Sequence, residues 1–265
     1  MNRYSLLIPV LLLLTGCDSL DLQTADADIP VVQAYLQPDS PIEVEIWRQL
    51  IFQSEDTTQM FLTDLGVFLS NGDDTYHLVH TDSGRYTHED IVVSPGQQWT
   101  LSFTYRDKEV GANTLIPGKP ENFQSSGSTI EVFSFGGGFG GGTPPSPPEP
   151  IDLTWDNPEG NYHMIVVENT EEDPELINED TDRPPRNFRN APTQSSSQEL
   201  NPFTFNYYGR HRVILYQLNP EYAALYEQLG TSSLDIVAPP SNISEGLGIF
   251  TGIHTDTLFV EVVPQ

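Results

Sequence analysis

The chain has 265 residues, with 38 Asp and Glu against 11 Lys and Arg, a formal charge of −27. That balance excludes nucleic acid as a partner, because a phosphate backbone demands a basic face. A single cysteine excludes any intrachain disulfide.

At the amino terminus Arg3 supplies a positive charge, and Leu6 to Leu14 form an apolar run interrupted only by Pro9. Such a run spans about 14 Å as a helix, far short of the roughly 30 Å hydrocarbon core of a bilayer, so it is not a membrane-spanning helix. A charged start, a short apolar run and small residues at its end give residues 1–16 the form of a secretory signal. Leu14-Thr15-Gly16-Cys17 resembles the lipobox of bacterial lipoproteins. The resemblance implies a diacylglyceryl group on the Cys17 thiol, cleavage before Cys17 and acylation of the new amine. Cys17 is therefore the candidate lipidation site and membrane anchor. Each buried acyl CH₂ contributes about 0.8 kcal/mol, so several chains on one residue anchor permanently where one does not.

Without residues 1–16 the chain has 249 residues, 38 acidic and 10 basic, with a formal charge of −28. Only Lys108 and Lys119 are lysines. Such a chain repels itself at low ionic strength, and salt screens the repulsion. The charge fits either a saline habitat or simply an acidic surface protein. Residues 17–29 read as the lipidated Cys and an acidic tether. Asp18 to Asp28 carry four aspartates without periodicity, the composition of a disordered segment. Fully extended, that tether reaches about 35–40 Å.

Residues 30–116 read as an N-terminal β-sandwich. Val31 to Leu36 is a β-prone run, and Ile42 to Ile46 alternates apolar and charged residues, the period of a half-buried strand. Leu65 to Ser70 leads into Asn71-Gly72, a hairpin dipeptide, and Thr75 to His80 follows. Asp82-Ser83-Gly84 turns into Arg85-Tyr86-Thr87, and Trp99 to Tyr105 puts Trp99, Leu101, Phe103 and Tyr105 on one face. Residues 117–150 are rich in Gly, Ser and Pro and read as a linker or projecting loop. Within it Phe133, Phe135 and Phe139 sit on glycine-rich chain, as exposed aromatics suited to a partner's groove.

Residues 151–265 read as a second, β-rich domain. Ile151 to Trp155 and Tyr162 to Val167 bracket a Pro/Gly turn, which resembles the start of a fibronectin type III-like sandwich. Residues 169–201 read as a solvated acidic loop; their carboxylates lack the ligand alternation and mid-loop Gly of an EF-hand. Phe203 to Tyr208 and Arg212 to Leu218 are expected strands. Asn219 and Pro220 open a helix over 220–229, with Tyr222, Leu225, Tyr226 and Leu229 at helical spacing and Gly230 closing it. That aromatic stripe reads as core. Thr257 to Val263 is a last strand. The whole is expected to be all-β: two antiparallel sandwich-like units, Ig/prealbumin-like then fibronectin type III-like, with one short helix.

The order of these parts carries a family resemblance: a lipidated Cys, an acidic tether, the VVQAYL strand, Gly84-Arg85-Tyr86, a Trp–turn–Tyr strand pair and a Tyr-rich helix. It ends in Pro239-Pro240-Ser241-Asn242-Ile243 and Gly246-Leu247-Gly248-Ile249-Phe250. The chain resembles a Bacteroidota outer-membrane lipoprotein family defined by a domain of unknown function. Members of that family are usually encoded beside a TonB-dependent transporter. The resemblance implies a lipid-anchored accessory or binding subunit at the outer membrane, at the cell surface, with a TonB-dependent barrel as partner. The alternative is a structural or adhesive envelope lipoprotein with no transported ligand. Within the terminal motif, Gly246 and Gly248 are expected to turn the backbone and set Phe250 against the core.

No catalytic pattern stands out. HExxH, GxSxG and Walker motifs are missing from the sequence. His77 and His80, three apart on one expected strand, point to opposite faces and do not pair for a metal. The expectation is a non-enzymatic protein with no cofactor and no metal.

Overall fold

The computed structural model describes residues 28–49, 60–133, 148–178, 183–229 and 240–265. Apolar and polar residues alternate along most of them, as strands with one buried face require. The first half forms β1 (Pro30–Leu36), β2 (Ile42–Arg48), β3 (Met60–Phe61), β4 (Phe68–Ser70), β5 (Thr75–His77), β6 (Val79–His80), β7 (Arg85–His88), β8 (Gln98–Tyr105) and β9 (Lys108–Leu115). The second half forms β10 (Glu121–Ser125), β11 (Thr129–Val132), β12 (Ile151–Asp156), β13 (Tyr162–Asn169), β14 (Asn187–Arg189), β15 (Ser197–Leu200) and β16 (Gly209–Leu218). Helix α1 (Pro220–Leu229) and strand β17 (Leu247–Pro264) complete the chain. The fold is an all-β sandwich architecture with one short α-helix among the described residues, as the strand pattern led us to expect.

A ten-stranded sheet is the common floor, in the order β14-β13-β16-β17-β1-β2-β7-β6, with β11 also on β17 and β3 on β2. Two smaller sheets cover one of its faces. The sheet β5-β4-β8-β9 encloses a core that includes Val32, Leu36, Val44, Trp99, Phe103 and Phe250. The sheet β10-β12-β15 encloses a second, with Leu153, Trp155, Val167, Val213, Val260 and Val262. Each fully buried large apolar side chain contributes about 1.5–3 kcal/mol, so each core is a substantial source of stability.

Strand β17 belongs to both sandwiches. Its 18 residues pair parallel with β1 from Val31↔Leu247 to Leu36↔Gly252. They then pair antiparallel with β16 from Leu218↔Ile253 to Gly209↔Val262. Its far end pairs parallel with β11. Side chains two apart share a face, so Phe250 enters the first core while Val260 and Val262, of the same parity, enter the second. Thr251 and Ile253, of opposite parity, face α1.

This pairing revises the domain boundaries expected from the sequence. The N-terminal unit is completed by residues 247–252, and the last strand begins at Leu247 rather than Thr257. Strands β10 and β11 lie inside the stretch read as linker and belong to the second sandwich. Their order comes from pairing with β12 and β17, not from their own Ser-rich sequence. Likewise the acidic stretch 169–201 contains β14 and β15. The strand expected at Phe203 to Tyr208 is instead a 3₁₀ turn over Pro202–Thr204, capped by the Asn201 side chain, which accepts from the Phe203 N–H. Pro202 has no N–H to give a sheet, which favours the turn. His77 and His80 fall on separate sheets.

The terminal motif is structural, as expected. Gly248 has φ of +102°, and a Cβ there would lie 2.0 Å from the Val32 carbonyl oxygen. Asn242 bonds both backbone groups of Phe250, donating from Nδ2 to its carbonyl at 2.7 Å and accepting its N–H at 3.0 Å. Phe250 is fully buried.

Candidate functional site

The face of the long sheet opposite the two cores carries a groove of about 520 Å³. Alternation along the strands builds its floor. On β13, Ile165 and Val167 point into the second core, so Met164 and Val166 point out. On β16, Val213 and Leu215 point in, so Tyr216 and Leu218 point out. On β1, Val32, Ala34 and Leu36 fill the first core, and Tyr35 stands on the outer face, 37% exposed. The groove therefore spans the junction of the two sandwiches and takes side chains from both.

Helix α1 forms one wall. Tyr222 and Tyr226, four apart on one helical face, pack with ring centroids 5.8 Å apart. Tyr222 meets Tyr35 edge-on at 6.0 Å. The start of the helix is bolted to the sheet by a polar cluster. Buried Thr114 and Thr251 donate their hydroxyls to Glu221 Oε1 at 2.8 and 3.0 Å. Asn219 Nδ2 donates to Thr114 Oγ1 at 3.0 Å and to the Leu115 carbonyl at 2.7 Å. Thr114 Oγ1 also accepts the Gly252 N–H at 2.8 Å. The residue expected only to cap the helix thus ties it to β9.

The opposite rim is β14, whose register sets Asn187 beside Glu168 and Arg189 beside Val166. The Arg189 guanidinium lies 5.5 Å from the Tyr226 ring centroid, a cation–π distance. Glu168 is held by Arg212, from Nε at 3.0 Å and Nη2 at 2.5 Å. Burial pushes the phenols of Tyr35, Tyr216 and Tyr222 above their ordinary value. Tyr222 is raised most, by burial and then by its hydrogen bond with Tyr226. At physiological pH all three are neutral hydroxyls that can donate. The groove thus combines an apolar floor, aromatic walls and a few polar groups at its rim, the composition of a small-molecule site.

The residues singled out from sequence lie elsewhere. Cys17, Phe135 and Phe139 fall outside the described residues. Phe133 is half-buried rather than exposed, against a small cavity of about 30 Å³ that Ile177 and Phe205 also line. The tether, expected to be disordered through Asp28, is fixed at that residue. The Asp28 carboxylate accepts from the Tyr105 hydroxyl at 2.5 Å and pairs with Arg106 and, at 3.9 Å, Arg48. Asp28 precedes β1, which pairs with the start of β17, whereas Val132 pairs with its end, so the two lie towards opposite ends of that strand. Among the described residues no group of three His, Cys, Asp or Glu is placed to hold a metal.

Sequence reasoning did not find the groove. The Tyr222/Tyr226 stripe, expected as core, packs in part on Met164, Leu218 and Ile253, and Tyr222 also lines the groove. The parity of Tyr35 against Val32, Ala34 and Leu36 was the available signal.

No match was found among curated proteins. Among solved structures, the chain is similar to the FN1–FN3 domains of chicken CNTN1 at 11% identity, covering 88% of this chain and 67% of that one, with a TM-score of 0.28. It is also similar to domains A168–A170 of titin at 10% identity, covering 88% of this chain and 62% of that one, with a TM-score of 0.22. One protein-family profile matches residues 18–258. That span includes every residue that builds the groove, from Tyr35 on β1 to Ile253 on β17, and the chain belongs to this family, the Domain of unknown function (DUF4249).

Proposed function

We propose that this protein is a lipid-anchored binding module of the outer membrane, exposed at the cell surface, that serves a TonB-dependent barrel as an accessory subunit. The observation that carries the binding role is the aromatic groove across the junction of the two sandwiches. Its floor and walls suit an apolar body, and its neutral phenols and rim groups supply orientation. The anchor rests on the Leu14-Thr15-Gly16-Cys17 motif, and the barrel on the family resemblance of the sequence. Lipid attachment confines the protein near any barrel in the same membrane and raises its effective concentration there. The reading is of binding, not catalysis.

A tagged full-length chain, purified from detergent-solubilised membranes of its source, tests the partner. The wild type is expected to recover a TonB-dependent barrel, and Cys17→Ala to lose both palmitate labelling and that recovery. A deletion of residues 134–142 tests the aromatic loop while sparing half-buried Phe133. Equal recovery with the deletion moves docking off the loop. No barrel with wild type defeats the transport reading in favour of a structural or adhesive envelope protein. Palmitate labelling that persists in Cys17→Ala defeats the anchor.

A further inference from the structure

The groove has chemical polarity, and that polarity selects a ligand. Its floor is aliphatic, made by Met164, Val166, Leu218 and Ile253, with Tyr rings standing around it. Glu168, the carboxylate among the lining residues, is engaged by two bonds from Arg212, and its charge still acts on the Tyr216 phenol at the β16 side of the groove. The cation among the lining residues is Arg189, which has no carboxylate within ion-pair reach among the described residues. Stacking on Tyr226 at 5.5 Å braces its guanidinium, and Asn187, two residues back on β14, presents an amide along the same rim. The positive charge is felt inside the groove, where it partly offsets the upward push on the Tyr35 and Tyr222 phenols.

We propose that the groove binds a small monocarboxylate with an apolar or aromatic body, its carboxylate on Arg189 and Asn187 and its body on the aliphatic floor between the tyrosines. The assignment rests on the groove being the binding site of the protein. Guanidinium and carboxylate match as a planar, two-point pair. A volume of about 520 Å³ lies within the range of sites for small organic molecules. The whole-chain charge of −27 repels any anion in proportion to its charge over the distance that salt leaves unscreened, so a monoanion is disfavoured least and a polyanion most. The phenols, held neutral by burial, add no competing anion.

Titration calorimetry on the full-length protein in detergent micelles tests this with two probes, 4-phenylbutyrate and its neutral amide, each corrected against a micelle blank. The acid is expected to bind at least tenfold more tightly than the amide. Arg189→Gln should remove that preference without lowering the melting temperature, because the side chain is exposed. Arg189→Lys should retain part of it, which separates charge from any local disturbance of β14. Tyr222→Ala should weaken acid and amide alike. Equal affinities of acid and amide for wild type, or a preference that survives in Arg189→Gln, overturn the carboxylate assignment and leave the groove as a binding site of other chemistry. If neither probe binds, both the assignment and the groove's role as the binding site fall.

Discussion

Replacing Gly248 by alanine tests whether the shared strand holds the two sandwiches together. Gly248 pairs with Val32 in the parallel ladder between β1 and β17. An added Cβ would lie 2.0 Å from the Val32 carbonyl oxygen and 2.9 Å from its backbone nitrogen and carbon. These are backbone atoms of a buried strand and cannot swing aside. Relief requires the strands to part by about 1 Å, which breaks two or three ladder bonds at about 1 kcal/mol net each. The φ of +102° adds about 1–2 kcal/mol of strain for a residue with a Cβ. The sum is about 3–5 kcal/mol, or about 6–20 °C in melting temperature for a protein of this size. Gly96→Ala is the control. Its φ is +80°, but nothing lies within 4 Å of the added Cβ, so it meets the conformational term alone, about 1–2 kcal/mol. Differential scanning calorimetry of both variants decides the matter. Equal melting temperatures for the two would refute the reasoning that contact between β1 and β17 sets the loss.

Phe250→Ala opens a cavity in the first core and should destabilise by about 3–5 kcal/mol. Because β17 threads both cores, thermal unfolding followed by fluorescence of Trp155 should shift as much as unfolding followed at Trp99; a melt at Trp155 that stays put would show that the sandwiches unfold separately. Glu221→Ala leaves the buried Thr114 and Thr251 hydroxyls only the longer contacts to the Leu115 and Gly252 carbonyls, at 3.5 and 3.3 Å, a loss of about 1–3 kcal/mol, and should weaken probe binding by freeing Tyr222; unchanged stability and affinity would remove the bolt from the account of the groove. Burial holds the His163 and His211 imidazoles below the ordinary value of 6.5, against the opposing pull of the Asn161 and Gly209 carbonyls. The unfolded chain takes up those protons near pH 6.5 and the folded chain only lower, so their contribution is complete above about pH 6.5 and is lost as pH falls through that window. The melting temperature should drop between about pH 7.5 and pH 5.5, and a His163→Gln/His211→Gln double variant should drop less; an equal drop would place the acid sensitivity elsewhere. Screening of the chain's net charge of −27 should raise the melting temperature with added salt, and a flat response would set that repulsion aside.

Local chemistry by itself determined a good deal about this protein. Alternation such as Ile42 to Ile46 and Trp99 to Phe103 marks a half-buried strand wherever its partner lies, because the period belongs to the backbone. The Asn219-Pro220 start and the tyrosine spacing marked α1 for the same reason. The charge balance and the lipobox-like Cys17 are also local. What tertiary structure decided is pairing. Whether β17 begins at Leu247 depends on β1, at the other end of the chain, accepting it as a parallel neighbour, and no local signal records that choice. The same holds for β10 and β11, whose weak sequences become strands only because β12 and β17 offer them hydrogen-bond partners. The groove is the clearest case. Parity shows that Tyr35 faces away from the core of β1, but only the fold brings Tyr222, Arg189 and Ile253 to the same place. A site at the junction of two sandwiches is composed of residues that are each, in sequence, merely the outer face of something else.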